Sequence, residues 1–120
     1  MRLALVLVVA AACGGKRADK PDAAFDAWKK GGLDVSEFKS TNSTVGKDCS
    51  TGTVAKIDVL ICRFDSPDAA KAAQDLGLQW VGDTTGMSQA EGLLVIAAAD
   101  RRKADPSGRT INRIFKLVPH

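Results

Sequence analysis

The sequence contains no tyrosine and a single histidine, His120, and its three cysteines never fall in a Cys-x-x-Cys spacing. A zinc or other transition-metal site built from His and Cys therefore has too few ligands. The same shortage leaves no Ser-His or Cys-His pair for nucleophilic catalysis and no thioredoxin-like redox pair. Glycine patterns that cradle phosphates are missing as well: neither Gly-x-Gly-x-x-Gly nor a P-loop occurs. With four Phe and two Trp as the only aromatics, the core has to lean on Val, Ile, Leu and Ala. No apolar run reaches the roughly 20 residues that cross a bilayer, and there are no internal repeats. These absences predict a protein with no metal, no cofactor and no enzymatic activity.

Carboxylates are the one catalytic resource left. Asp58, Asp65, Asp83, Glu91, Asp100 and Asp105 all fall near expected strand or loop ends, where turns, caps and solvated charges are the commoner use of such residues. A small carboxylate-dependent enzyme is kept as an alternative on their account.

What is present begins with an address. Met1-Arg2 is a minimal positive end, Leu3 to Ala12 is an unbroken apolar run, and Cys13 follows three alanines. This is the pattern of a signal peptide over residues 1–12. Val9-Ala10-Ala11-Ala12-Cys13 resembles the lipobox of bacterial lipoprotein precursors, with alanine at position 10 where leucine is the most frequent residue. The resemblance implies cleavage before Cys13 and acylation of that cysteine, palmitate being the expected kind of chain. It also implies a protein anchored by lipid to the cell membrane and facing the periplasm or exterior. Residues 13–20, small and polar, then read as the lipidated tether, and 21–120 as one globular domain.

Loss of Arg2 with the signal lowers Lys+Arg from 17 to 16 against 14 acids, a mature charge of +2. That is too small for a general nucleic-acid binder.

Within the domain, Pro21 opens a short helix ending at Lys30, with Phe25 and Trp28 on one face and Gly31-Gly32 as the stop. Leu33, Val35 and Phe38 lead into an extended segment. The longest β-branched run, Val54 to Phe64, reads as strand, and the cysteines on either side constrain it. A straight strand from Thr53 to Cys62 spans about 30 Å, and the chain back to Cys49 recovers only about 13 Å. Cysteine Cα atoms have to approach within about 7 Å to bond. A hairpin turning at Ala55-Lys56 meets that condition and predicts a Cys49–Cys62 disulfide. Ala-Lys is not the Asn-Gly or Asp-Gly that such turns prefer, and Gly52 is the candidate for a compensating bulge.

Asp65-Ser66-Pro67-Asp68 is a helix start. The spacing predicts a helix to Leu76 that buries Ala69, Ala72, Ala73 and Leu76 and stops at Gly77. Leu78 to Val81 and Leu93 to Ala98 read as strands separated by a polar loop, Gly82 to Gly92. A last helix runs from Asp105-Pro106-Ser107 toward Leu117, with Ile111, Ile114, Phe115 and Val118 as its apolar stripe. This order of elements suits an α+β fold: a two-layer sandwich with the helices on one face of a small, largely antiparallel sheet.

The candidate functional residues are the cations after Asp100: Arg101, Arg102, Lys103, Arg109, Arg113 and Lys116. Arg109, Arg113 and Lys116 share a helical face. They either form a solvated surface or contact an anionic partner such as phospholipid headgroups, lipopolysaccharide, another anionic envelope polymer or an acidic protein face; the sequence does not identify a protein partner. The function expected is a membrane-anchored, non-catalytic binding or accessory domain, with an inhibitor or protein-interaction module of the envelope as the other alternative.

Overall fold

The structure is a computed structural model that describes residues 18–119. The signal segment, Cys13 and His120 lie outside those residues. Ala18 is completely buried and accepts the amide N–H of Leu93 at 2.9 Å, and the Asp19 carbonyl accepts Arg63 Nε at 2.8 Å. The fold thus takes in residues that the sequence assigned to the tether.

Helix α1, Pro21–Lys30, starts on proline and ends on Lys29 and Lys30, cations at the negative end of its dipole. Trp28 is completely buried, and its indole N–H donates to the carbonyl oxygen of Ile114 at 2.8 Å. Phe25 and Phe38 pack beside it, their rings 4.7 Å apart. The chain then runs antiparallel to the next strand, first as a single bridge between Val35 and Val54 and then as β1, Lys39–Thr41.

Strands β2, Asp48–Val54, and β3, Ile57–Arg63, form the expected hairpin. Their register pairs Val54 with Ile57 and Cys49 with Cys62, and the two cysteines are bonded, with Cα atoms 4.1 Å apart. Ala55 and Lys56 both take left-handed backbone, φ 50° and 72°, as a type I′ turn demands of whatever residues occupy it. The register is unbroken at Gly52, so there is no bulge. Gly52 makes room for an aromatic ring instead: a Cβ there would lie 2.6 Å from Phe38 Cδ1.

Helix α2, Pro67–Val81, is capped by the Ser66 hydroxyl, which accepts the Ala69 amide. It does not stop at Gly77. A Cβ at Gly77 would sit 2.2 Å from Ser88 Oγ and 3.2 Å from Val95 Cγ1, so this glycine is where helix and sheet touch. The buried stripe is accordingly Ala70, Ala73, Gly77 and Val81, and Ala72 faces solvent. Leu78 to Val81, expected as strand, is the last turn of this helix. The stop is Gly82, at φ 68°.

The stretch expected to be all loop contains strand β4, Gly86–Glu91. It pairs with β5, Leu94–Ala99, through a tight turn with Gly92 at φ 59°. Helix α3, Arg109–Leu117, closes the fold.

The strand order is β1-β2-β3-β5-β4, antiparallel throughout. The α+β class and the antiparallel sheet are as the sequence implies; the layering is not. Ile57, Val59, Ile61, Leu94 and Ile96 face one side and pack with Trp28, Ile111 and Ile114, whereas Leu60, Cys62, Val95 and Ala97 face the other and pack with Ala70, Ala73 and Val81. Helices α1 and α3 therefore cover one face and α2 the other, giving three layers. β3 and β5 are apolar on alternate and intervening positions alike because both their faces are covered, a pattern better known from parallel sheets.

Candidate functional site

The cations singled out by the sequence fall into two groups at different places. The first follows β5. Arg101 lies with its guanidinium carbon 4.3 Å from the centre of the Trp80 ring and donates to the Trp80 carbonyl at 2.7 Å. Arg102 donates to Asp58 Oδ1 at 2.6 Å and to the Lys56 carbonyl at 3.2 Å, while Arg101 sits 3.8 Å from Asp58 Oδ2. Arg101, with Thr51, Thr53, Asp58 and Trp80, lines a shallow depression of about 350 Å³. The ion pairs are solvent-exposed, and pairs of that kind contribute at most about 1 kcal/mol. Arg102 nevertheless ties two turns together, the Ala55-Lys56 turn and the one after Asp100, in which Lys103 also has positive φ, 54°. Arg101 and Arg102 are already committed to the protein's own carboxylate and carbonyls.

The second group is on α3. Its apolar residues Ile111, Ile114 and Phe115 are buried, which obliges the opposite face to display Arg109, Asn112, Arg113 and Lys116. All four are exposed and line a depression of about 270 Å³. Arg113 donates to the carbonyl oxygen of Gly31, satisfying an acceptor at the C-terminal end of α1 beside Lys29 and Lys30. Among the described residues neither Arg109 nor Lys116 is in an ion pair. The six candidate cations are thus two arginines held by Asp58, a lysine in a turn, one helix-capping arginine and two unpaired cations.

The carboxylates divide as sharply. Asp100 and Asp105 are buried, and backbone amides occupy both: Asp100 accepts Ala104 and Asp105 N–H at 2.8 Å each, and Asp105 accepts Thr110 and Ile111 N–H at 3.1 and 2.9 Å. Asp105 serves as the N-terminal cap of α3, because the residue at the cap position, Gly108, has no side chain to offer. Asp58 holds the two arginines. Glu91 accepts from Gln89 Nε2 and pairs in register with Leu94, at the opposite end of β5 from Ala99, which pairs with Asp58. A six-residue strand is roughly 20 Å long, so Asp65 and Glu91 at one end do not meet Asp58, Asp83 and Asp100 at the other. Among the described residues no three His, Cys, Asp or Glu side chains are grouped to hold a metal.

Sequence reasoning missed Trp80, Thr51, Thr53 and Asn112. Trp80 is hidden when residues 78–81 are read as strand; continuing the helical period through Gly77 places it on α2. Comparison with known proteins gives no match to a family model, to a curated protein or to a solved structure.

Proposed function

We propose that the chain is a lipid-anchored, non-catalytic accessory domain of the bacterial cell envelope, held at the membrane by an acylated Cys13. The observation that carries this reading is the bond between Cys49 and Cys62. It takes up the other two cysteines and leaves Cys13, at the end of the Leu3 to Ala12 run, as the cysteine with no partner in the chain. A disulfide also fits an oxidising compartment. The non-catalytic part is supported by buried Asp100 and Asp105, each of whose carboxylate oxygens accepts a backbone amide.

The test is the intact mass and partitioning of the protein in a bacterial host that processes lipoproteins. The expected product begins at Cys13, carries acyl chains and sediments with membranes, and Cys13→Ser moves it to the soluble fraction, since stable anchoring by lipid depends on the acylated cysteine. A Cys13→Ser protein that sediments like the parent, or an unmodified Cys13 in the mature chain, would overturn the reading.

A further inference from the structure

We propose that the outer face of α3 rests on anionic phospholipid headgroups, so that the domain sits with its α1–α3 layer toward the bilayer. The proposal depends on the lipid-anchor reading for its tether and on the geometry of α3 for its orientation. Nothing in α3 offsets the cations: Arg-Thr-Ile-Asn-Arg-Ile-Phe-Lys-Leu contains no acid. Burial of Ile111, Ile114 and Phe115 fixes which way the helix faces, and Arg109 and Lys116 are unpaired among the described residues. The bond from Arg113 to Gly31 brings the end of α1 alongside, adding exposed Lys29 and Lys30. Of the acids of α1, Asp22 is in its first turn, away from these lysines, and Asp26 stands one turn before them, so that α1 adds a net charge of about +1 at this end. Arg101 and Arg102 differ on each count, being held by Asp58 at the far end of β5 from Leu93.

The tether supplies the proximity. Ala18 belongs to the core beneath the α1–α3 layer, and the five residues from Cys13 to Ala18 span at most about 17 Å even when fully extended. A lipid on Cys13 therefore keeps this layer within reach of headgroup phosphates at high effective concentration. Each cation near an anionic surface adds about fivefold to the preference for it, so a few aligned cations orient a tethered domain that binds weakly when free.

The experiment uses the mature chain from Cys13 with its disulfide intact, coupled through Cys13 to a maleimide phospholipid. The vesicles are phosphatidylcholine alone or with one-third phosphatidylglycerol. Lysines are acetylated briefly and the rates read by mass spectrometry. On anionic vesicles, acetylation of Lys116, Lys29 and Lys30 is expected to slow about fivefold or more, while Lys56 and Lys103 keep their neutral-vesicle rates. High salt, or Arg109→Glu with its fold verified by circular dichroism, is expected to restore Lys116. Equal Lys116 rates on the two vesicles would overturn the proposal. So would equal slowing of Lys116, Lys56 and Lys103, which would mean attraction without orientation. Because the coupling is chemical, either failure is separate from a failure of acylation in the cell, which the intact mass reports.

Discussion

The Ala55-Lys56 turn offers the sharpest test of the hairpin, because the geometry there runs against the residues. Both are left-handed, at φ 50° and 72°, and a non-glycine residue in that region costs roughly 1–2 kcal/mol. Lys56→Gly removes the clash but returns about 0.5–1 kcal/mol of chain entropy to the unfolded state, leaving a net gain of about 0.5–1 kcal/mol. Ala55→Asn, which tolerates the same backbone, gains a similar amount. Neither change removes a bond, since the contacts at the turn are made by the main chain: the Ala55 N–H donates to the Asp34 carbonyl at 2.7 Å, and the Lys56 carbonyl accepts Arg102. The pair of substitutions should therefore stabilise the domain by about 1–2 kcal/mol, which for a domain of this size raises Tm by about 4–16 °C. Urea titration followed by circular dichroism under non-reducing conditions, with the m-value compared between variants, measures this directly. An unchanged or lower midpoint with the same m-value would refute the assigned turn.

Three other outcomes are expected. The non-reduced mature protein should show Cys49 and Cys62 bonded in peptide mapping, and replacing both with serine should cost about 3 kcal/mol for a closed loop of this length; two free thiols would contradict the hairpin register. Ile114→Ala should cost about 2–5 kcal/mol, because the side chain is completely buried, whereas Arg109→Ala with Lys116→Ala should leave the urea midpoint nearly unchanged. Chelators should leave Tm where it is, and a stoichiometric metal that survives dialysis would show that the chain does assemble a ligand set.

How legible the fold was depends on which signal a residue gives. The hairpin was legible because two cysteines and a chain-length argument leave one geometry, and α3 because Ile111, Ile114, Phe115 and Val118 keep a helical period with nothing interrupting it. Gly77 misled because a glycine inside a helix looks like a stop unless its neighbour across the interface is known; Ser88 and Val95 are distant in sequence. β4 was illegible because an edge strand needs no apolar alternation, and Gly86-Met87-Ser88-Gln89-Ala90-Glu91 has the composition of a loop. The side of the sheet on which α2 packs was equally hidden. Continuous apolar runs in β3 and β5 were the available hint that both faces are covered. In the candidate site, the shared helical face of Arg109, Arg113 and Lys116 was readable from spacing. That Asp58 holds Arg101 and Arg102 was not, because only the pairing of β3 with β5 brings them together.

The insertion of β5 between β3 and β4 dictates an order of events as the chain emerges. The β2–β3 hairpin is local and closes early, so it gives the disulfide its register while the rest is still unfolded. Its inner strand then waits. The second edge of Ile57–Arg63, apolar on both faces, has no partner until Leu94–Ala99 arrives, with all of α2 and β4 in between. Such an open, apolar edge is a template for pairing with another chain, and pairing across that sequence separation is slow compared with hairpin closure. The central strand of the finished sheet is therefore the most hazardous part of the nascent one, and the strands left at the rims once folding is complete, β1 and β4, carry no comparable run of apolar residues.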